Sequence, residues 1–311
     1  MQKNNFKHFI HLHFLVFIAG FTAILGELIV NSSEVIVWHR MFIGSILLGL
    51  YMLFSKKSFK IDIKLFLKYS FLGLIIALHW ITFFEAIEQS NISVTLAMFS
   101  TAAFFTSFIE PFMFKRKVIF YEVVLGFVVV GGVYLIFNAE FQYLTGIILG
   151  LLSAFFASLF SVLNGLMIKK NSAFSISFYE FITGMFFITI FLIFNNELSS
   201  IIIDDIFSLN YFYIFLLGSI CTAYAFMASV YLLKFISPYS VVLTYNLEPI
   251  YGIIMAVIFF GNNEKMSLSF YIGLFLILFS VILNMYIKKE IIKIISSNFF
   301  IFISNIYDEL S

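Results

Sequence analysis

Long runs of apolar residues follow one another along this chain of 311 residues. A helix of about 20 apolar residues crosses a hydrocarbon core of about 30 Å. The runs are continuously apolar, whereas the strands of a barrel would be short and alternate in polarity. The pattern therefore predicts ten transmembrane helices, called spans one to ten here, at residues 12–30, 35–54, 66–86, 92–114, 123–139, 145–168, 174–194, 211–233, 239–260 and 268–287.

Composition gives the same class. Apolar residues make up 62% of the chain and charged residues 11%, where a soluble domain would carry about 25% charge. The loops between the spans are too short for an extramembrane domain. The sequence thus predicts an all-α polytopic membrane protein whose main partner is the lipid bilayer. Lys3 and Lys7 precede the first run as in a signal peptide, but more spans follow, so we expect this helix to be retained.

The positive charges predict the orientation. All of the 18 Lys and Arg residues except Arg40 and Lys265 fall on one side of the bilayer if the ten spans are correct. Cytoplasmic loops retain positive charge, so both termini are expected in the cytoplasm of a multi-pass protein of the plasma (inner) membrane. Residues 291–311 are apolar but interrupted by Lys293 and several polar residues, which favours an interfacial helix in a cytoplasmic tail over an eleventh span.

A weak internal repeat divides the chain into two halves. The segment 39–44 aligns with 179–184, the segment 93–96 aligns with 240–243, and Gly126 aligns with Gly273. Five helices per half force the second copy to enter the bilayer from the opposite side. We therefore predict two inverted five-helix repeats, residues 1–139 and 140–290, a plan typical of secondary transporters with a substrate site near the bilayer midplane.

Two segments resemble the EamA family of the drug/metabolite transporter superfamily: Trp38-His39-Arg40-Met41-Phe42 and the run from Ser237 to Gly252 with its core Asn-Leu-Glu-Pro-Ile-Tyr. The resemblance covers about residues 12–287. It implies export of metabolites, often amino acids, without an ATP-binding domain. The family closes its ninth span with a Gly-Glu pair, whereas this chain has Gly261-Asn262-Asn263-Glu264, so the acidic residue is displaced.

Glu248 lies near the middle of span nine and is the first site candidate. A carboxyl group at this depth needs a partner, a water-filled cavity or a proton. Pro249 leaves the carbonyl group of Tyr245 without its donor and is expected to bend the helix. The arrangement suits a solute or proton site with Tyr245 and Asn246 as wall residues, and the alternative is that Glu248 only joins neighbouring helices by hydrogen bonds.

Arg40 lies in the outer half of span two and cannot lose its charge. It could bind a substrate carboxylate, or it could form a structural ion pair with Glu27 or Glu85, which lie at matching depth. Glu180 is its counterpart in the repeat. Because the two residues lie in opposite leaflets, we expect no direct bridge between them.

The remaining candidates are weaker. His79 beside Trp80 could carry a proton or could be a hydrogen-bonded packing residue. Glu110 is expected to pair with nearby basic residues at the interface, and Cys221 to be a small packing residue. Asn164 and Tyr224 complete the candidate wall of the cavity.

These observations predict a secondary transporter that exports a small metabolite, such as an amino acid or similar polar solute, by alternating access. Transport would be by uniport or by proton exchange. The alternative is a non-transporting sensor or structural membrane protein on the same fold, and an enclosed polar cavity at Glu248 distinguishes the two. The chain has no phosphate-binding Gly loop, catalytic triad or metal-ligand spacing, so we predict no enzyme activity, cofactor, metal site or nucleic-acid partner.

Overall fold

The computed structural model describes residues 2–115, 120–202, 205–284 and 286–287, and this part of the chain is helical and contains no strand. The predicted tail at 291–311 lies outside the described residues. Thirteen α-helices follow one another in the described part: α1 Gln2–Leu28, α2 Ser33–Phe54, α3 Ile63–Glu88, α4 Ile92–Phe99, α5 Ala102–Met113, α6 Phe120–Ala139, α7 Leu144–Met167, α8 Ala173–Phe194, α9 Leu209–Gly218, α10 Ala225–Leu232, α11 Pro238–Tyr245, α12 Glu248–Phe260 and α13 Leu268–Asn284.

Eight segments of the described chain are long and apolar enough to cross a bilayer: Lys7–Leu28, Ser33–Phe54, Ile63–Glu88, Ile92–Met113, Phe141–Met167, Ala173–Phe194, Leu209–Leu232 and Pro238–Glu264. Two shorter apolar helices, Val124–Ala139 and Leu268–Asn284, lie where the sequence predicts spans five and ten. The fold is therefore that of an all-α, multi-pass membrane protein with eight candidate spans and two shorter apolar helices.

Three of the spans are not regular helices. Span nine breaks between α11 and α12 at Asn246 and Leu247, directly before Pro249, as the missing amide hydrogen of proline predicts. Span four breaks at Ser100 and Thr101, between α4 and α5. There, both hydroxyl groups donate to carbonyl oxygens of the preceding turn, which competes with regular helical bonding. Span eight contains a π-helical segment, Ser219–Tyr224, between α9 and α10.

Helices α2 and α8 pack against each other through reciprocal contacts. The side chain of Met41 on α2 packs over Gly184 on α8, and Phe181 on α8 packs over Gly44 on α2. Met41 aligns with Phe181 and Gly44 with Gly184 in the internal repeat. The two helices thus contact each other through residues that are equivalent in the internal repeat.

Helices α6 and α13 also meet at equivalent positions. A β-carbon on Gly132 would lie 2.7 Å from the carbonyl oxygen of Gly273, and one on Gly273 would lie 2.6 Å from that of Gly132. Only glycine permits this approach of two backbones. The contact pairs Gly273 with Gly132, whereas Gly126, with which the sequence aligns Gly273, packs against Phe104.

Spans four and nine run antiparallel. A carboxyl group from each span accepts hydrogen bonds from backbone N–H groups at the start of the other. Glu264, at the end of span nine, accepts hydrogen bonds from the backbone N–H groups of Ile92 (3.0 Å) and Ser93 (2.9 Å) at the start of α4. Glu110 in α5 accepts from the N–H group of Tyr239 (2.8 Å) at the start of α11. Each carboxyl group thereby satisfies helix N-terminal donors that have no intrahelical acceptor.

These contacts add two features that the sequence does not indicate. Glu110 is buried and accepts a hydrogen bond from the start of a helix. The displaced Glu264 has a defined partner because Gly261, at φ +64°, starts a 3₁₀ turn over Gly261–Glu264 that brings the carboxyl group back toward α4.

We expect Glu264→Ala to lower the free energy of unfolding by about 1–3 kcal/mol, because two backbone donors and the Ser93 hydroxyl lose a charged acceptor. The measurement is thermal unfolding of the purified protein in detergent, with the exposed Glu197→Ala as the control. Equal stability of the two variants would show that the Glu264 contact does not hold span four.

Candidate functional site

A buried cavity of about 140 Å³ lies at the centre of the bundle, beside the breaks in spans four and nine. A single water molecule needs about 10–15 Å³ of such volume, so the cavity has room for a small solute. Its wall contains seven of the predicted site residues: Arg40, His79, Trp80, Asn164, Tyr245, Asn246 and Glu248. A cavity reached by Glu248 is therefore present, with several polar side chains in a wall that is otherwise mainly apolar.

Arg40 projects from α2 into this cavity and is only 2% exposed. Its Nε–H group donates to Thr222 Oγ1 at 2.9 Å, and its Cζ atom lies 3.7 Å from the ring centroid of Trp80. The Nη1 atom is buried without a hydrogen-bond acceptor. A hydroxyl and an aromatic face position the guanidinium group but leave its charge without a counter-ion.

The expected ion pair of Arg40 with Glu27 or Glu85 is wrong. Within the described chain, no carboxylate oxygen lies within ion-pair distance of the guanidinium group. Glu85 instead accepts hydrogen bonds from Ser33 and Gln89, and Glu27 lines a separate hollow. Equal depth in the bilayer does not place two side chains on facing surfaces, since each helix can turn its residue away from the other.

Glu248 is the first residue of α12, directly after the break in span nine, and is 4% exposed. The N-terminal end of a helix carries a partial positive charge, which favours a carboxylate at this position. Glu248 interacts electrostatically with Arg40 across the cavity, but the two groups form no ion pair. The cavity thus contains one guanidinium group and one carboxyl group that form no ion pair with each other in the described structure.

Other predicted residues form the wall around this pair. The hydroxyl group of Tyr245 lies 2.6 Å from Ser229 Oγ, and Asn246 Nδ2 is buried without an acceptor. His79 lies with its Nδ1 atom 2.9 Å from Ser153 Oγ and its ring stacked on Phe99. These contacts hold the imidazole ring through one nitrogen and one face. Such contacts are typical of a hydrogen-bonded packing residue, the second of the two interpretations of His79.

The rest of the wall is mainly apolar. Aromatic side chains come from four different spans, and small residues fill the space between them. The aromatic residues are Trp80, Phe83, Phe99, Phe160 and Phe226. A solute in the cavity would therefore meet two charged groups, a few amides and hydroxyls, and a large apolar surface.

Two predicted wall residues lie elsewhere. Tyr224 is 39% exposed and its hydroxyl group is 2.9 Å from His11 Nε2, outside the cavity. The wider turn of the π-helical segment before α10 changes the direction of the side chains that follow. Cys221 and Ala225, and not Tyr224, line the cavity. Glu180 is fully buried in α8 behind the wall residue Asn164.

Thr222 is a site residue that the sequence analysis missed. Its hydroxyl group donates to the carbonyl oxygen of Leu217, five residues earlier, and accepts from Arg40. A single threonine in an apolar run gives no signal of this role. Only the i to i−5 bonding of the π-helical segment places it opposite the guanidinium group.

The fold and the cavity together define a polytopic membrane protein with a central, charged solute-sized cavity. The sequence pattern of the EamA-like transporter family matches residues 10–138 and 144–286. The chain belongs to this family, whose members are transporters, and it is an integral multi-pass membrane protein. No curated protein matches the chain.

Solved structures share this fold. One of them, titled "Crystal structure of protein", has a TM-score of 0.65 and 12% sequence identity, and the alignment covers 90% of this chain and 97% of that chain. At this identity the likeness concerns the fold alone. The two matches to the family pattern fit a chain built from two related halves.

Proposed function

We propose that this protein exports a small zwitterionic metabolite, of which an amino acid is the simplest example, by alternating access across the plasma (inner) membrane. The single observation that carries the proposal is the pair of Arg40 and Glu248 in one buried cavity, where neither has an ion-pair partner among the described residues. A buried charge is costly unless an opposite charge compensates it. A solute with a carboxylate and an ammonium group compensates both residues.

The geometry assigns each charge a role. The guanidinium group of Arg40 would bind the solute carboxylate through its free N–H groups, while Trp80 holds its other face. Glu248 would bind the ammonium group, with Asn246 and Tyr245 beside it. The apolar aromatic wall would accept the side chain, which favours neutral amino acids with apolar side chains over acidic or basic ones.

Proton exchange would use the same carboxyl group. A solute ammonium group and a proton both neutralise Glu248, so one replaces the other as the cavity loads and empties. A proton bound from outside would then return in the opposite direction to the exported solute. This is the simplest coupling that the cavity supports.

Alternating access would be achieved by two inverted repeats, residues 1–139 and 140–290, within a ten-span arrangement. Several observations support this plan: the reciprocal contacts of α2 with α8 and of α6 with α13, the breaks at matching points of spans four and nine, and the exchange of carboxylate caps between those two spans. The half-helices would tilt about the breaks to open either end of the cavity.

The orientation of the chain can be tested by cysteine labelling. In a variant with Cys221 replaced by serine, we expect Ser199→Cys to react with a membrane-impermeant maleimide in intact cells, because the loop beside Glu197 lies outside. We expect Ser58→Cys, in the lysine-rich loop, to react only after permeabilisation. Labelling of Ser58→Cys in intact cells would overturn the proposed topology and the cytoplasmic termini.

The function itself is tested by a solute screen in cells that overproduce the protein. We expect these cells to tolerate dipeptides that release toxic amounts of a neutral amino acid and to accumulate that amino acid in the medium. Cells that produce Arg40→Gln at the same level are the control. Export by both cell lines at the level of cells without the protein would favour a non-transporting protein on this fold, and equally raised export by both would contradict the binding role of Arg40.

A further inference from the structure

Glu180 is a second buried carboxyl group, and the proposed binding of the solute does not use it. It lies in α8, is 0% exposed, and neither of its carboxyl oxygens has a hydrogen-bond partner. No cationic side chain of the described chain lies within ion-pair distance. A carboxylate in such surroundings would be far more costly than a neutral carboxylic acid.

The side chains around Glu180 are also unsatisfied. The amide of Asn164 on α7 lies beside the carboxyl group without forming a hydrogen bond of good geometry, and the hydroxyl groups of Ser177 and Tyr69 are buried without partners. Four polar side chains with unused hydrogen-bonding atoms are therefore buried within α3, α7 and α8. Unsatisfied groups of this kind need a specific explanation, because buried polar atoms in native proteins are nearly always paired.

The surroundings favour a proton over a metal cation. A β-carbon on Gly73 of α3 would lie only 2.5 Å from the backbone carbonyl oxygen of Glu180, so the helices are in close contact here. A metal cation prefers several carboxylate or imidazole ligands, and the described residues contain no cluster of three such side chains at Glu180. A proton on the carboxyl group needs no such cluster.

Polar groups lie on two sides of Glu180. On one side Asn164 belongs to the wall of the central cavity. On the other side Tyr69 of α3 faces Glu180, and Ser175 lies beside the Tyr69 hydroxyl group nearer the lysine-rich end of the bundle. Tyr69 is the titratable group that faces Glu180 from α3, and Asn164 is its uncharged neighbour on α7. Met41 of α2 packs one turn further along α8, over Gly184, and Phe226 of α10 packs on Phe181, so these helices contribute apolar groups.

We propose that Glu180 is a proton-binding residue of the transport cycle, which takes up a proton from the cavity side at Asn164 and releases it toward the lysine-rich end past Tyr69 and Ser175. The inference rests on the proposed exchange of solute for protons. In this scheme Arg40 and Glu248 bind the solute. Glu180 carries the proton through the inner half of the bundle. On release, the O–H bond of the carboxylic acid breaks, its electron pair stays on the carboxylate, and the proton passes to water at the lysine-rich end of the bundle.

The test uses the purified full-length protein in liposomes with radiolabelled neutral amino acids. We expect Glu180→Gln to retain exchange of labelled for unlabelled solute without a pH gradient, because solute binding is intact. We expect the variant to lose the stimulation of uptake by an imposed pH gradient. Tyr69→Phe should reduce this stimulation, whereas Glu197→Gln, at an exposed position, should behave as wild type.

Infrared spectroscopy tests the protonation of Glu180 independently of the proposed function, because the measurement needs no solute. We expect the wild-type minus Glu180→Gln difference spectrum at neutral pH to contain the C=O band of a protonated carboxylic acid. If this band is present while no amino acid is transported, only the proposed function fails. An unchanged response of Glu180→Gln to the pH gradient, dependence of uptake on sodium instead of protons, or a spectrum of ionised carboxylate would overturn the role of Glu180.

Discussion

Replacing Arg40 with glutamine should weaken binding of the solute by about 10- to 100-fold, because each hydrogen bond to a charged group contributes about 1.5–3 kcal/mol and 1.4 kcal/mol corresponds to a factor of ten. The guanidinium group has no counter-ion in the described structure, so the solute carboxylate is its natural partner. The measurement is the half-saturating solute concentration for exchange in liposomes.

Two further variants identify the cause of this loss. Arg40→Lys keeps the charge but not the planar arrangement of donors, so it should recover only part of the binding. Thr222→Val keeps the shape of Thr222 but removes the acceptor of the Arg40 Nε–H group, and a smaller loss is expected. If Arg40→Gln folds normally and exchanges solute with wild-type affinity, Arg40 is a structural residue and the assigned role is wrong.

Glu248→Gln should abolish the pH dependence of transport and weaken binding of the solute by about 10- to 100-fold. Glutamine keeps the size and much of the hydrogen bonding of glutamate, but it cannot ionise or attract the solute ammonium group. Expression and thermal stability should stay near wild type, since Glu248 forms no ion pair in the described structure. The measurement is the rate of uptake in liposomes across a range of internal and external pH.

The Glu248 and Glu180 variants give different results if each residue has its assigned role. Glu248→Gln should lose both affinity and pH dependence, whereas Glu180→Gln should lose only the response to a pH gradient. If Glu248→Gln keeps the wild-type affinity and the wild-type pH response, the alternative interpretation is correct. Glu248 then only joins neighbouring helices by hydrogen bonds.

Much of the helix arrangement could be predicted from the sequence. The predicted span 35–54 corresponds to α2 at Ser33–Phe54, and 145–168 to α7 at Leu144–Met167, because a long apolar run flanked by polar residues marks both ends of a span. The break before Pro249 was predictable as well, since a missing amide hydrogen is a local property. The break at Ser100 and Thr101 and the π-helical segment were not predicted, because similar hydroxyl residues occur inside regular helices of this chain.

The site could be predicted only in part. The polar character of Glu248, Arg40 and Asn164 within apolar spans follows from the sequence, and the structure buries all three in the wall of the cavity. The direction of each side chain does not follow, because a single extra residue in a helical turn rotates everything after it. For this reason Tyr224 was placed in the cavity, Thr222 was missed and Arg40 was given a carboxylate partner. The partner of Glu264 could not be predicted, because it is brought close only by the packing of span nine on span four.

The most direct test of the central claim is a comparison of exchange rates for one amino acid and two analogues, in liposomes that contain the wild-type protein. L-Leucine carries both charged groups, its methyl ester keeps only the ammonium group, and N-acetyl-L-leucine keeps only the carboxylate. The cavity with Arg40 and Glu248 predicts that unlabelled L-leucine accelerates release of labelled L-leucine, and that neither analogue does so at the same concentration. Equal acceleration by either analogue, or no acceleration by L-leucine and other neutral amino acids, would contradict a site for zwitterions.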